Sequence, residues 1–453
     1  MKRVGAPFRR VREFRRRPLV ALATGAMAAC ALFSAPRPEL AIPAVPDPAP
    51  APLGPPTPPL ETVAVETRPV GAGERAAADG EVRALWVVRS TLTSPAAVRS
   101  MVERADESGF NTILVQVRGR GDAYYRSTME PRAEAIPEAE TFDPLALTVE
   151  LARERGIDVH AWVNLYLVWG LRGMPASRLH VLHSNPEWLA VPRALAHVGP
   201  YEPQFVERLM TYAQERSDQI EGVYLSPSNP EAKARLLMIV LELRERYDLD
   251  GVHFDYVRLP QSDFDYSQVA LREFGRWLAP RLEAPQDLAL QARGDLLALA
   301  DRLPEEWGEF QRANITEMVR WIYHNIKARD PTMVVSAAVR SGRADAMEHR
   351  YQDWGAWVDE GILDLVVPMA YTSTANRFRS FVDETLQVAG PDGAWMGLGA
   401  YLNTAESTLD QIDIVRANGF RGLVLFSYDW AVGEGYGGRG PTLLQVVGRE
   451  RFR

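Results

Sequence analysis

The stretch Asp250-Gly-Val-His-Phe-Asp-Tyr-Val-Arg258 decides how this chain is interpreted. Its alternate positions are apolar, which predicts a short buried strand that delivers one carboxylate, Asp255, to its carboxyl end. A long helical pattern, 229–247, precedes the strand. In chains that alternate strands and helices, acids at the carboxyl ends of strands carry the chemistry. The pattern therefore favours a functional Asp255; the alternative is an acid that caps the next helix or pairs with Arg258.

Seven further apolar runs alternate with helical patterns on both sides of this strand. Near-continuous apolar runs are typical of buried parallel strands. Glycine closes several of the helices, as C-terminal capping requires: Gly109, Gly156, Gly361 and Gly419. The sequence predicts an α/β fold, a (β/α)8 TIM barrel; an open doubly wound sheet is the alternative, but no Gly-rich phosphate loop follows the first strand. The eight predicted strands are 83–88, 111–117, 158–163, 250–255, 333–339, 363–370, 394–399 and 422–427.

Three long connections leave the carboxyl ends of the second, third and fourth predicted strands: 118–142, 164–222 and 259–305. A barrel domain over residues 81–453 exceeds the roughly 250 residues of a plain barrel, and these connections account for the excess. Because all three leave the same face, we expect long loops at the C-terminal face that raise walls around an open cleft.

Residues 1–34 are predicted to be an export signal. Residues 2–17 hold eight Lys or Arg against one Glu, and an apolar run, 19–33, follows. That run is shorter than the ~20 residues of a membrane-spanning helix. A basic segment before a short apolar one is typical of bacterial export signals, and Arg16-Arg17 also fits a loose twin-arginine pattern. We expect an exported protein of the cell envelope, in the periplasm or anchored at the outer membrane.

The one cysteine of the chain, Cys30, ends this apolar run after Met27-Ala28-Ala29. The pattern resembles a lipobox, in which the cysteine is lipidated and tethers the protein to a membrane; the alternative is a signal cut near Ala29 or Ser34. Residues 35–80 are rich in Pro and Ala, which predicts an extended, disordered linker. The barrel domain holds no cysteine, which excludes disulfides and Cys-based metal or nucleophile chemistry there.

The charge balance argues against nucleic acid as a partner. The formal net charge of the chain is −8, and setting aside the +7 of residues 2–17 leaves −15 for the remainder. An acidic exported domain repels a phosphate backbone, whereas a neutral glycan is compatible with it. No HExxH or HxH pair and no nucleotide-binding fingerprint occurs, so neither a metal nor another cofactor is predicted. The sequence specifies no oligomeric state.

Eight sequence blocks spread over residues 82–430 point to one family: Ala84-Leu-Trp-Val-Val-Arg89, Gly109-Phe-Asn-Thr-Ile-Leu-Val-Gln-Val-Arg118, Gly121-Asp-Ala-Tyr-Tyr125, His160-Ala-Trp-Val-Asn164, Asn185-Pro-Glu-Trp-Leu189, Asp250-Gly-Val-His-Phe-Asp-Tyr256, Pro368-Met-Ala-Tyr371 and Phe426-Ser-Tyr428. Together they resemble the glycosyl-hydrolase-like family ten, which comprises exported bacterial TIM-barrel proteins. The resemblance implies a glycosidase acting on a bacterial polysaccharide, and one branch of the family cleaves peptidoglycan strands stripped of stem peptides. It also places Asp255 on the family's acid at the fourth strand.

Most glycosidases need a second carboxyl group, ~5–5.5 Å from the first for retention of configuration or ~6.5–9.5 Å for inversion. Three acids near predicted strand ends are candidates, in the order Asp122, Asp429 and Asp353. The alternative for Asp122 is a turn residue, and for Asp429 and Asp353 a helix cap. Glu187 fits better as an acid at a helix start. The expected mechanism pairs Asp255, as nucleophile or base, with one of the three as acid.

Polar and aromatic side chains near predicted strand ends are candidates for substrate binding. Neutral Asn and Tyr can bond sugar hydroxyls, and Arg89 or Arg118 can meet a lactyl or uronic carboxylate. His253 is predicted to orient Asp255, with a satisfied core histidine as the alternative. Each polar residue has a second interpretation, as a support for a loop. The full set is Arg89, Gln116, Arg118, Asn164, Trp169, His253, Tyr371, Tyr428 and Trp430, the two tryptophans as flat platforms for sugar rings.

Two classes of function stay open at this point. The first is a glycoside hydrolase of the cell envelope, acting on peptidoglycan glycan strands by two-carboxylate chemistry. The second is a catalytically inactive glycan-binding or scaffold protein that reuses the barrel, because no second acid is fixed by the sequence. An amidase or esterase fits less well, since neither a Cys nucleophile nor a G-x-S-x-G elbow is present.

Overall fold

The fold is that of a computed structural model, which describes residues 80–136, 141–433 and 442–453. The predicted export signal, Cys30 and nearly all of the predicted linker lie outside the described residues and stay predictions. Across the described ranges, no helix is both long and apolar enough to cross a bilayer.

Eight parallel strands close into a barrel, which confirms the predicted TIM fold and excludes the open sheet. The strands, in chain order, are β1 (Val82–Val87), β2 (Thr112–Arg118), β3 (Asp158–Asn164), β4 (Leu167–Trp169), β5 (Val223–Tyr224), β6 (Gly251–Asp255), β7 (Val334–Arg340), β8 (Leu365–Met369), β9 (Trp395–Gly399) and β10 (Gly422–Phe426). Around the barrel the order is β1, β2, β3, β6, β7, β8, β9 and β10, and β10 pairs back with β1. The remaining strands, β4 and β5, form a separate antiparallel pair.

Helices connect the strands around the outside of the barrel. In chain order they are α1 (Pro95–Glu107), α2 (Pro144–Arg153), α3 (Val181–Ser184), α4 (Phe205–Gln214), α5 (Pro230–Arg246), α6 (Gln268–Leu278), α7 (Pro285–Ala292), α8 (Leu296–Arg302), α9 (Pro304–Lys327), α10 (Arg343–Arg350), α11 (Trp354–Asp359), α12 (Ala375–Ala389), α13 (Ala405–Ala417), α14 (Tyr428–Val432) and α15 (Leu443–Val447).

A local sequence code sets where three of these helices begin. α1, α2 and α5 each start with a polar cap followed by proline: Ser94-Pro95, Asp143-Pro144 and Asn229-Pro230. The cap side chain accepts the backbone N–H three residues on, at 3.3, 3.0 and 2.8 Å respectively. Each cap contributes about 1 kcal/mol, and proline at the first helical position already has a helical φ. The caps therefore fix the points at which the strand-to-helix connections end.

Large aromatic side chains fill the interior of the barrel. Trp86 and Trp162 pack with Trp395 and aliphatic residues from other strands in one buried cluster. Trp86 also donates a hydrogen bond from Nε1 to Nε2 of His253, at 3.1 Å. Burial of one aromatic side chain is worth roughly 4–6 kcal/mol. This cluster makes the barrel floor rigid directly below the carboxyl ends of its strands.

Strand register brings polar residues from neighbouring strands to the same level. β3 and β6 pair so that Asn164 lies beside Asp255. On the other side of β3, Gln116 of β2 pairs with Trp162. Since parallel strands end at one face, these side chains meet at the barrel mouth.

The connection after β3 is folded rather than open. It contains the β4–β5 pair together with α3 and α4. Gly222 is required at this pairing, because a Cβ there would lie 1.8 Å from the carbonyl oxygen of Trp169. The preceding residue, Glu221, is thereby held where the connection returns to the barrel. The predicted long loops at the C-terminal face are confirmed, and this one builds a wall of the barrel mouth.

Candidate active site

A cleft of about 490 Å³, here called the barrel cleft, opens at the carboxyl ends of the strands. Strand-end residues form its floor, and the connection after β3 supplies part of its wall through Leu167, Gly170 and Glu221. Its charged and polar lining includes Arg89, Gln116, Arg120, Asn164, Glu221, Asp255, Tyr256, Arg258, Arg340, Tyr371 and Tyr401.

Asp255 lies at the last position of β6, on the floor of the barrel cleft, and is only 8% exposed. Its Oδ1 accepts the backbone N–H of Tyr256 at 2.6 Å. Tyr256 has a left-handed backbone (φ 51°), a conformation that is uncommon for an aromatic residue and concentrates at functional sites. Burial raises the pKa of Asp255 to about 6, against the opposing effects of Arg258 and the Tyr256 N–H. Asp255 therefore keeps a proton to a higher pH than an ordinary aspartate.

Glu221 is the second carboxyl group that lines the cleft. Its Oε1 accepts a hydrogen bond from the guanidinium of Arg258 at 2.8 Å, and its Oε2 accepts the hydroxyl of Tyr224 at 2.7 Å. Burial pushes the pKa of Glu221 upward, but the charge of Arg258 and these hydrogen bonds outweigh it, and the pKa is lowered. Glu221 is therefore ionised under conditions in which Asp255 still carries its proton.

The pKa values of Asp255 and Glu221 depend on nearby charges, including that of Arg258, which acts on both. The negative charge of Glu221 contributes to the raised pKa of Asp255, while Arg258 lowers the pKa of both. Carboxyl groups whose environments drive their pKa values apart are the signature of an acid and its partner in one site. The cleft thus holds two carboxyl groups whose pKa values are shifted in opposite directions.

The three acids predicted as partners of Asp255 do not line the cleft, and each accepts hydrogen bonds from other groups of the protein. Asp122 accepts the N–H of Arg120 at 2.9 Å, in a turn. Asp429 accepts hydrogen bonds from the chain after β1, of which the shortest, 2.7 Å, comes from Thr91. Asp353 caps α11. Among the described residues, Asp255 and Glu221 are the two carboxyl groups that line the cleft, and the catalytic role of the other three acids stays a prediction.

Glu221 was not predicted from the sequence, because it does not follow a barrel strand. It belongs to a long connection whose folding cannot be read from local patterns, and its distance in sequence from Asn164 hides their common cleft. One signal was present: Glu221 directly precedes Gly222, and a lone glycine beside apolar positions marks a close backbone approach. Glu187, interpreted as a helix-start acid, lies in a 3-10 turn, Pro186–Trp188, and lines a separate concavity of about 430 Å³.

Four of the predicted binding residues line the cleft: Arg89, Gln116, Asn164 and Tyr371. Three of them belong to one hydrogen-bonded chain, in which Arg89 donates to Gln116 Oε1 at 2.8 Å and Gln116 donates to Asn164 Oδ1 at 3.3 Å. Trp162 donates to the same Asn164 oxygen at 3.0 Å. These hydrogen bonds fix the side-chain amides of Gln116 and Asn164 near Asp255 in the absence of substrate.

Two other predicted residues are turned into the protein. Arg118 is 1% exposed and pairs with the buried Glu130 at 3.1 Å, so it cannot meet a substrate in this structure. His253 is fully buried below Asp255, between Trp86 and Ser336, whose Oγ lies 2.9 Å from its Nδ1. Burial lowers the pKa of His253 well below its usual value. His253 is a satisfied core histidine, the alternative that the alternation of β6 had left open.

The predicted aromatic platforms occupy different surroundings. Trp169 is 8% exposed and does not line the cleft; its Nε1 donates to the Gly173 carbonyl at 2.9 Å. Tyr428 is also buried. Trp430 is 59% exposed, and its ring lies 6.1 Å from that of Tyr401, which does line the cleft. Trp430 and Tyr401 therefore form an aromatic rim. Trp430 was predicted from the sequence and Tyr401 was not.

The described residues hold no cluster of three or more His, Asp or Glu arranged to bind a metal ion. What this site offers by its own side chains is proton transfer and charge stabilisation.

Comparisons with known proteins identify the family and the fold. The family model described as glycosyl hydrolase-like 10 matches residues 81–389. Glycosyl hydrolase YngK of Bacillus subtilis (strain 168) is 22% identical over 334 residues, 66% of this chain and 55% of its own. Glycosyl hydrolase DigH of Escherichia coli (strain K12) is 26% identical over 312 residues, 62% of this chain and 60% of its own. This chain thus covers less than two thirds of either relative.

Solved structures share the fold. The glycoside hydrolase domain of PgaB (BpsB) from Bordetella bronchiseptica superposes with a TM-score of 0.54 at 15% identity, over 77% of this chain and 95% of that domain. The catalytic domain of β-amylase from Paenibacillus polymyxa gives a TM-score of 0.51 at 11% identity, over 82% and 97%. The family match spans most of the barrel and includes both Asp255 and Glu221. The chain therefore belongs to the glycosyl hydrolase-like 10 family.

Proposed function

We propose that this protein is a glycoside hydrolase that acts on a bacterial cell-envelope polysaccharide, with the glycan strand of peptidoglycan as its substrate. The observation that carries the proposal is a single cleft holding two carboxyl groups with opposite pKa shifts, Asp255 upward and Glu221 downward. Family membership and the names of both relatives, each a glycosyl hydrolase, support it.

In this proposal Asp255 is the general acid. Its raised pKa keeps most of it protonated at pH values below about 6, and it transfers that proton to the glycosidic oxygen as the bond to the anomeric carbon breaks. The leaving sugar then departs as a neutral alcohol. This reverses the role expected from the sequence, in which Asp255 was the nucleophile or base.

Glu221 supplies the negative charge. The ionised carboxylate stabilises the positive charge that develops at the anomeric carbon, and it either attacks that carbon or takes a proton from an attacking water. Arg258 is the positioning residue, because it binds Glu221 directly and lowers its pKa. Retention or inversion at the anomeric carbon, followed by NMR of fresh products, distinguishes the two roles of Glu221.

The test is hydrolysis of purified glycan strands, with and without stem peptides, followed by mass spectrometry of the products. We expect shortened strands with the wild type and none with Asp255→Asn or Glu221→Gln. Asp353→Asn is the matched control, an acid that caps α11 and does not line the cleft. Intact strands after incubation with wild type, together with retained binding of those strands, would instead identify a catalytically silent glycan-binding protein.

We also propose that Cys30 is lipidated and tethers the enzyme to a membrane. The support is the position of this single cysteine at the end of an apolar run, followed by a Pro-rich segment. Cys30→Ala should move the protein from the membrane fraction to the soluble periplasmic fraction. A soluble wild type whose N-terminus begins at Leu32 or later would contradict the tether.

A further inference from the structure

Four arginines line the barrel cleft, and they fall into two kinds. Arg258 pairs with Glu221 at 2.8 Å, and Arg340 pairs with Asp345 at 2.9 Å. The other two, Arg89 and Arg120, line the same cleft. Within the part of the chain that the structure describes, neither of these two forms an ion pair with a carboxylate.

Both members of this arginine pair are positioned by neutral contacts. Arg89 is half-buried and donates to Gln116 Oε1 at 2.8 Å. Gly119 leaves room for it, because a Cβ there would lie 2.6 Å from Cδ of Arg89. The guanidinium of Arg120 lies 5.9 Å from the centre of the Trp169 ring, a cation–π arrangement. Each cation is therefore held in place while its charge stays available.

The two cations are also close enough to affect each other. Partial burial and the charge of Arg89 lower the pKa of Arg120, while Asp122 opposes this without forming an ion pair. Asp122 Oδ1 instead accepts the backbone N–H of Arg120, at 2.9 Å. Two like charges near each other at a cleft favour the binding of an anion there. This local charge also stands against the net charge of −8 of the chain.

We propose that Arg89 and Arg120 form a subsite for the carboxylate of an acidic sugar in the substrate strand. A planar guanidinium matches a carboxylate with two parallel hydrogen bonds, which makes arginine the favoured residue for this group. The proposal rests on the proposed function and adds to it the chemical class of one substrate unit. Two sugar types present this group: an amino sugar with a lactyl ether and a uronic acid.

The test compares native strands with strands whose carboxyl groups have been chemically reduced to alcohols, so that the backbone is unchanged and only the charge is lost. We expect wild type kcat/KM to fall about 10- to 100-fold on reduced strands, the usual worth of hydrogen bonds to a charged group. For Arg120→Gln, kcat/KM should fall on native strands, mainly through KM, and change little on reduced strands. For Arg89→Gln, which also breaks the hydrogen bond to Gln116, kcat/KM should fall more on native than on reduced strands. Arg120→Lys should recover part of the loss.

Arg293→Gln is the matched control. It removes one positive charge from an exposed arginine that does not line the cleft. Equal losses on native and reduced strands for the pair variants would overturn the subsite and leave a structural role. Oligomers of an N-acetylated lactyl amino sugar and of a uronic acid, tested separately, show which source of the carboxylate is accepted.

A failure of the proposed function is distinguishable from a failure of this inference. If wild type cleaves neither strand, binding of both strands is measured by calorimetry at low salt. Tighter binding of native strands that is lost in Arg120→Gln would support the subsite without catalysis. Equal binding of native and reduced strands would overturn it.

Discussion

The barrel wall and the inserted wall of the cleft each supply one carboxyl group, and different forces place the two groups. Asp255 ends β6, where pairing with β3 sets it beside Asn164 and fixes its height in the barrel. Glu221 precedes β5, and its place depends on the short pairing of β5 with β4. The position of Asp255 is fixed by a closed sheet of eight strands, whereas the position of Glu221 is fixed by a strand of two residues.

The comparison teaches where this site is rigid and where it can change. Moving Asp255 requires disruption of the barrel, because both neighbours of β6 are barrel strands. Moving Glu221 requires only that the β4–β5 pair opens, which leaves the eight-stranded sheet intact. We therefore expect changes at Asp255 to act by chemistry alone and changes around Glu221 to act by position as well.

The largest effect should come from Asp255→Asn. This substitution keeps the shape of the side chain and removes the transferable proton, so turnover should fall by ~10³ or more while substrate binding is retained. The measurement is kcat on glycan strands, with affinity measured separately. Asp353→Asn should stay within about threefold of wild type, since it alters only the cap of α11. Equal turnover of Asp255→Asn and wild type would remove Asp255 from the mechanism.

The next effect should come from Gly222→Ala, which tests the inserted wall. The added Cβ would meet the Trp169 carbonyl oxygen at 1.8 Å, so β5 must move and carry Glu221 with it. Misplacement of a catalytic group by about 1 Å costs roughly 10²-fold in rate. We expect that loss in kcat with the far-UV circular dichroism of the barrel unchanged.

Gly156→Ala is the control for this variant. It places the same methyl group at a positive φ of 68°, with no atom within 4 Å and away from the cleft. It should lower stability by about 1 kcal/mol through backbone strain and leave kcat near wild type. If both glycine variants lost activity equally, the position of Glu221 would not be the cause.

The same comparison explains which parts of the site could be read from the sequence. The strands, the barrel and Asp255 follow from local apolar runs and from the rule that strand ends meet at one face. Arg89, Gln116 and Asn164 were found in the same way. Alternation put His253 on the same face of β6 as Asp255, but Trp86 and Ser336 contact its two ring nitrogens in the core. Arg118 was placed in the site because strand ends carry function, but alternation alone does not give the direction of a side chain near a register shift. β2 has such a shift, between Gln116 and Arg118.

What could not be predicted lies in the connections. Glu221, Arg120 and Tyr401 all line the cleft from outside the barrel strands. Their positions depend on long-range contacts, such as the packing of Trp169 against His180, that no periodicity encodes. The acids Asp122, Asp353 and Asp429 were favoured by nearness to predicted strands or helices, and hydrogen bonds to local backbone or side-chain groups hold each of them.

A smaller effect should appear in the pH dependence of Arg258→Gln. In wild type, kcat/KM should fall as pH rises through about 6, where Asp255 loses its proton. Arg258 lowers the pKa of both Asp255 and Glu221. Its removal should therefore move both limbs of the pH profile to higher pH, as a property of the coupled pair. Arg340→Gln removes a charge from the same cleft and should move the limbs less; equal displacements would contradict the role of Arg258.

The smallest effect concerns stability. The folded-state pKa of Asp255, about 6, lies above its ordinary value of 3.8. Between these values the folded protein binds a proton that the unfolded chain does not, so stability falls as pH rises from about 4 to above 6. A shift of this size corresponds to roughly 3 kcal/mol. Asp255→Asn has no carboxylate to bury, and its amide oxygen can still accept the Tyr256 N–H.

We therefore expect Asp255→Asn to melt a few degrees above wild type at pH 7, with the difference vanishing near pH 3.5. Calorimetric melting curves at both pH values provide the measurement. Asp353→Asn is the control, because aspartate and asparagine cap helices about equally well, and its offset from wild type should be small at both pH values. A variant at position 255 that is no more stable than wild type at pH 7 would show that the ionised Asp255 is solvated in the cleft. The barrel wall would then place its carboxyl group without burying its charge, and the raised pKa on which the acid role depends would have no basis.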